Sequence, residues 1–70
     1  MKLLTDTEHY CAELSADVEA FRQSLIDPAS PAVEELAQEG RRLCAQGEVR
    51  GGVMRLRRAM VLLRAASGQN

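Results

Sequence analysis

The chain has 70 residues, close to the length at which one hydrophobic core is only just sufficient for folding. It contains no tryptophan, one phenylalanine and one tyrosine, so its core must consist of Leu, Val, Ala and Met, which favours packed helices over a sheet. No run approaches the roughly 18 apolar residues of a membrane-spanning helix, and we expect a cytoplasmic protein that does not contact a membrane.

The charges are divided unevenly along the chain, although the net charge is only −1. Residues 1–35 carry eight acidic and two basic residues, whereas residues 36–70 carry seven arginines and two glutamates. Such a division is typical of a nucleic-acid-binding patch or of two segments that attract each other. We expect the second, with acidic residues of the first helix facing arginines of the third.

The first predicted helix spans residues 5–27. Thr5 and Glu8 have the spacing of a capping box, which places Thr5 at the N-cap. Apolar residues then recur at alternating spacings of three and four, which is the period of one helix face. These residues are Cys11, Leu14, Val18, Phe21 and Leu25. Pro28 ends the helix, because the residue before a proline is biased away from helical geometry.

The second predicted helix spans residues 31–46. Ser30 is suited to the N-cap, Pro31 to the first helical position and Gly47 to the position after the helix end. The predicted apolar face comprises Val33, Leu36, Ala37, Gly40, Leu43 and Cys44.

The third predicted helix spans residues 48–66. Its apolar stripe comprises Val49, Val53, Leu56, Met60 and Leu63. This stripe is out of phase with that of the second helix, so we expect two separate helices with a turn near Gly47. The sequence therefore predicts an all-α, three-helix single domain over residues 1–70, with a C-terminal antiparallel helical hairpin.

Cys11 and Cys44 are the only cysteines, too few for a disulfide scaffold. We interpret them as free buried thiols, with a disulfide between the first and second helices as the alternative. His9 is the only histidine, and side chains two residues apart, such as His9 and Cys11, do not share a helix face. No metal site, cofactor or catalytic residue is therefore predicted.

Residues 33–63 resemble a tetratricopeptide repeat, a pair of antiparallel helices that serves mainly to bind other proteins. The resemblance is carried by Leu36, Gly40, Leu43, Gly47, Gly52, Leu56 and Ala59. The family prefers an apolar residue at Glu39 and often a proline at Arg64, so this sequence departs from it at both positions. One and a half repeats cannot form the concave groove of longer arrays, which implies docking on a larger helical protein.

The third helix carries the predicted binding surface. Met54 and Val61 share a face away from the main stripe, and Leu62 lies on the far side from it. An apolar patch rimmed by arginines is typical of a protein-binding surface, since Met and Arg suit interfaces. The predicted partner-binding residues are Met54, Arg57, Arg58, Val61 and Leu62.

We therefore predict a non-enzymatic adaptor, co-chaperone or inhibitor that binds another protein. The excess of arginine over lysine, eight to one, indicates a bacterial source. The alternative is a small nucleic-acid-binding regulator that contacts phosphates through Arg50, Arg57 and Arg64, which stack on one side of the helix. The acidic pI of about 5.7 and the lack of an aromatic platform count against it. A homodimer is a third interpretation.

Overall fold

The computed structural model describes residues 7–67, and three helices account for most of them. Helix α1 spans Glu8–Ser24, α2 spans Pro31–Ala45 and α3 spans Val49–Ala66. The helices pack against one another, and α2 and α3 share the most extensive contact. The predicted all-α, three-helix fold with a C-terminal hairpin is confirmed. Within this part of the chain, no helix is long and apolar enough to cross a membrane.

The core lies between the predicted apolar stripes. Its buried hydrophobic residues are Cys11, Leu14, Val18, Val33, Ala37, Val53, Leu56, Ala59 and Leu63. Phe21, Leu25, Leu36, Cys44, Val49 and Met60 are partly buried against them. Apart from Leu25, which follows the end of α1, and Ala59, which was not assigned to the stripe of the third helix, these residues occupy the predicted apolar faces.

Helix α1 is shorter at both ends than predicted. Its N-cap is Thr7, whose hydroxyl accepts a hydrogen bond from the backbone N–H of Tyr10, and the predicted N-cap Thr5 lies outside the described residues. At the other end Leu25 is already extended, with ψ of 142°. The Ser24 hydroxyl donates to the Phe21 carbonyl, which satisfies one of the last carbonyls of the helix. The helix therefore ends three residues before the predicted boundary.

The α2–α3 turn forms as predicted. Ser30 caps α2 by accepting a hydrogen bond from the Val33 N–H. At the C-terminus Gly47 has a φ of 82°, the left-handed region that favours glycine. The Glu48 N–H donates to the Leu43 carbonyl and the Gly47 N–H to the Cys44 carbonyl, which together make a Schellman motif. This motif reverses the chain and makes the hairpin antiparallel.

Two glycines let α2 and α3 approach closely. A Cβ on Gly40 would lie 2.7 Å from Leu56 Cγ and 3.2 Å from the carbonyl oxygen of Gly52. A Cβ on Gly52 would lie 3.0 Å from the carbonyl oxygen of Gly40. A Cβ at either position would therefore be too close to an atom of the facing helix, and a larger residue than glycine would push the two helices apart.

Cys11 and Cys44 form a disulfide, with their Cα atoms 5.7 Å apart. The expectation of free thiols is therefore wrong, and the alternative bond between the first and second helices is present. It links the first turn of α1 to the last turn of α2. Sequence periodicity placed both residues on inner faces, but only the packing of α1 against the hairpin brings the two sulfurs together.

Within residues 7–67 the ion pairs that join α1 to another helix run to α2, whereas the sequence analysis expected them to run to arginines of the third helix. Arg22 pairs with Glu34 across the two helices and with Glu19 within α1, and Arg41 of α2 lies 3.3 Å from Glu19. Hydrogen bonds to Glu34, and then to Glu19, raise the pKa of Arg22 above its ordinary value. Because the pKa is raised, the contribution of Arg22 to stability is lost as the pH rises through that pKa, in strongly alkaline solution.

Candidate protein-interaction surface

Met54 and Val61 are exposed on the face of α3 that points away from the core. At 100° per residue the two positions lie nearly opposite the centre of the buried stripe. Met54 is 69 % exposed and Val61 is 54 % exposed. They are two helical turns apart, about 10 Å along the axis. With the exposed Arg57 and Arg58 they form a surface that we call the α3 patch.

Arg57 is held in place at the border between α3 and α1. Its guanidinium carbon lies 5.7 Å from the centre of the Tyr10 ring, and one terminal nitrogen donates a 3.4 Å hydrogen bond to the Tyr10 hydroxyl. The first distance is within the range of a cation–π interaction. Sequence reasoning missed the role of Tyr10, because this contact joins residues 47 positions apart and depends on how α1 lies against α3.

Arg55, Arg58 and Arg64 of α3 are also exposed. Arg55 donates to the carbonyl of Gly51 one turn earlier. Arg58 and Arg64 are exposed and make no ion pair within residues 7–67. Their guanidinium groups therefore remain available to carboxylates or phosphates outside the described chain.

Arg50, Arg57 and Arg64, the predicted nucleic-acid row, are all exposed on one side of α3. The seven-residue spacing turns each of them about 20° from the last, so they lie in a shallow spiral beside Met54 and Val61. The row and the α3 patch therefore share Arg57 and form one continuous surface. An apolar centre with a basic border describes this surface better than a uniformly basic strip.

Leu62 lies apart from the α3 patch. It is half-buried against the core and lines a cavity of about 540 Å³ at the end of the bundle, together with Leu25, Val33 and Ala66.

Ile26 also lines this cavity and is fully exposed, because α1 ends before it. The sequence analysis placed Ile26 inside the first helix. Pro28 restricts only the residue before it, Asp27, so it does not account for the earlier end of α1 at Ser24.

His9, Cys11 and Cys44 do not form a metal site. His9 contacts Glu13 on the surface, with Nε2 3.3 Å from Oε1, whereas both sulfurs are used in the disulfide. In residues 7–67 no group of three His, Cys, Asp or Glu side chains converges as a metal site requires.

Comparison of the chain with family models, with curated proteins and with solved structures finds no match. The resemblance of residues 33–63 to a tetratricopeptide repeat stays a prediction.

Proposed function

We propose that this protein is a non-enzymatic protein-binding module that docks on a partner protein through the α3 patch. The observation that carries the proposal is the exposure of Met54 and Val61 on one face, bordered by Arg57 and Arg58. The expected partner is larger and helical, and the module acts as a small bacterial adaptor, co-chaperone or inhibitor.

The composition of the α3 patch suits an interface. Burial of an exposed Met or Val side chain contributes roughly 1–2 kcal/mol, so two such residues at the centre of a contact are a substantial anchor. The Tyr10 contact restricts the Arg57 side chain before binding, which lowers the entropy that Arg57 loses in a complex. Arg58 has no such restraint in residues 7–67 and can reorient towards a partner carboxylate.

The spacing of the apolar residues favours a helical partner. Met54 and Val61 are separated by one heptad, and side chains at this spacing face a second helix that crosses at a shallow angle. The flanking arginines favour carboxylates on either side of the partner's apolar stripe. We therefore infer an amphipathic, acidic partner segment.

The second candidate function is a small nucleic-acid-binding regulator that uses Arg50, Arg57 and Arg64. The observation that favours it is the exposure of all three arginines on one side of α3. Phosphate binding by this row predicts retention on heparin and an affinity that falls steeply with salt. The apolar side chains between the arginines have no role in that model.

The test is a tagged pull-down from the native host, with and without nuclease, that compares three forms of the chain. Met54→Glu/Val61→Glu places two carboxylates in the α3 patch, whereas Ile26→Glu changes an even more exposed apolar residue elsewhere. We expect one protein in near-stoichiometric amount with the wild type and with Ile26→Glu, and more than about tenfold less with the double variant. Nuclease should not change the result.

Circular dichroism and thermal unfolding show whether the double variant is folded, as the exposure of both side chains leads us to expect. Retention of the partner by a folded double variant would contradict the proposal. Recovery that disappears with nuclease would favour the nucleic-acid model, and a doubled mass in light scattering would make a second copy the partner.

A further inference from the structure

The two sulfurs of the disulfide have unequal surroundings. Cys11 is completely buried, and its sulfur lies 3.7 Å from the carbonyl oxygen of Val49. Cys44 is only half-buried. On the inner side Gly52 of α3 lies against the bond, since a Cβ there would come within 2.8 Å of the Cys44 sulfur and 3.0 Å of the Cys11 sulfur. The core side of the disulfide is therefore closed.

The outer side of Cys44 faces a groove between α1 and α2. The groove has a volume of about 400 Å³, and Cys44 lines it whereas Cys11 does not. Small side chains, including Ala12, Ser15 and Ala16, line the groove together with Cys44. Access is one of the factors that decide which sulfur of a disulfide is attacked.

The charged residues of this groove favour one class of thiol. Glu8, Glu19 and Arg41 line it, and an Arg41 nitrogen lies 3.3 Å from a Glu19 oxygen. Arg41 and Glu19 offset each other, which leaves the lining with a net negative charge from Glu8. A cationic thiol is therefore attracted to the groove and an anionic thiol is repelled.

We propose that Cys44 is a thiol-exchange site for low-molecular-weight thiols, which enter through the α1–α2 groove. A thiolate attacks the Cys44 sulfur and forms a new disulfide with it. The Cys11–Cys44 bond breaks, its electron pair goes to the Cys11 sulfur, and that thiolate takes a proton from water as it leaves the core. A second thiolate attacks the mixed disulfide, which frees Cys44 and releases the small thiol in its oxidised, dimeric form. Two thiols are oxidised for each protein disulfide reduced.

The first experiment locates the adduct. The oxidised full chain is treated with cysteamine, quenched with acid, and mapped by peptide mass spectrometry, with the chain in denaturant as the reference. We expect the first mixed disulfide on Cys44 in at least about tenfold excess over Cys11 in the folded protein, and similar amounts on both in denaturant. An adduct mainly on Cys11, or no reaction of the folded protein under conditions where the denatured chain reacts fully, would overturn the proposal.

The second experiment tests the route. Ala16→Phe fills the groove, and Ala20→Phe places the same ring on the exposed part of α1 outside it. We expect exchange at Cys44 to slow at least about fivefold with Ala16→Phe and to stay unchanged with Ala20→Phe, both variants having melting temperatures close to the wild type. Equal rates in the two variants would show that thiols reach Cys44 by another path.

The third experiment tests the charge preference by replacing cysteamine with 2-mercaptoethanesulfonate. The measured quantity is the ratio of the cysteamine rate to the sulfonate rate. We expect this ratio to be several-fold higher for the folded protein than for the chain in denaturant, and the difference to disappear at about 1 M salt. A ratio equal to that of the denatured chain would overturn the role assigned to the groove.

Discussion

Gly52 lies against both sulfurs of the disulfide and against the backbone of α2. Alanine at this position is normally the better helix former by about 1 kcal/mol. Here its Cβ would meet atoms at 2.8–3.0 Å, one of which is a backbone oxygen that cannot rotate away. Because Gly52 has no Cβ, the disulfide and the backbone of α2 can both pack directly against α3 at this position.

Gly52→Ala is expected to lower the free energy of unfolding by about 1–2 kcal/mol, since the cost of overpacking exceeds the gain in helix propensity. Gly51→Ala is the matched control, because its Cβ would meet only the ends of the Leu43 and Arg55 side chains, at 3.3 and 3.4 Å. We expect Gly51→Ala to be neutral or slightly stabilising. Urea denaturation of both variants measures the difference, and equal stability would contradict the close approach.

At the scale of the helices, α1 is joined to the hairpin at both of its ends. The disulfide joins its first turn to the end of α2, and Arg22 in its last turn pairs with Glu34 near the start of α2. An Arg22 nitrogen also lies 2.7 Å from the second Glu34 oxygen, so the pair is bidentate. Such geometry holds two helices in one relative orientation better than a single contact does.

Arg22→Gln is expected to lower the free energy of unfolding by about 0.5–1 kcal/mol, a modest value because the pair is partly solvated. The control is Arg42→Gln, which removes a pair within α2 to Glu39 and should cost less than about 0.5 kcal/mol. A double-mutant cycle of Arg22→Gln with Glu34→Gln isolates the contact between the helices. A coupling energy near zero would show that this ion pair does not hold α1 to α2.

The sequence predicted the faces of the helices better than their ends or their partners. Leu14, Val18, Leu56 and Leu63 are buried where periodicity places them, since a helix turns by a fixed angle per residue. The end of α1 was misplaced because Ser24 satisfies a helix carbonyl with its own hydroxyl, which periodicity does not register.

Contacts between helices were beyond the sequence, because they depend on how the helices are turned and shifted against one another. Glu19 was expected to face arginines of α3 and instead lies beside Arg41 of α2. For the candidate site, periodicity placed Met54 and Val61 on one face, but it could not show that Leu62 packs at the end of the bundle. The contact between Arg57 and Tyr10 carries no sequence signal at all.

At the scale of the whole molecule, the disulfide connects residues 33 positions apart in a chain of 70. A loop of this length corresponds to about 3–4 kcal/mol of stabilisation in the chain-entropy model. Domains of this size have a total stability of only about 5 kcal/mol. We therefore expect most of the net stability of the fold to depend on the oxidised state of these two cysteines.

Cys11→Ala/Cys44→Ala is expected to lower the free energy of unfolding by about 3–4 kcal/mol in guanidinium denaturation. The wild type in a reducing agent is the control, because it loses the bond and keeps both side chains. We expect the double variant and the reduced wild type to unfold at similar denaturant concentrations. Both should unfold at a much lower concentration than the oxidised protein. If the free energy of unfolding of the reduced wild type were within about 1 kcal/mol of that of the oxidised protein, the disulfide would not dominate stability.

The disulfide also closes residues 11–44 into a covalent ring, with α3 outside it. When a partner holds α3 and the chain is pulled from its other end, the force enters at Cys11 and leaves at Cys44, so the segment between them, residues 12–43, carries no tension. Released by reduction, that segment could extend by roughly 110 Å at about 3.4 Å per residue. Under load the oxidised protein therefore extends less than the reduced protein, by the length of this segment.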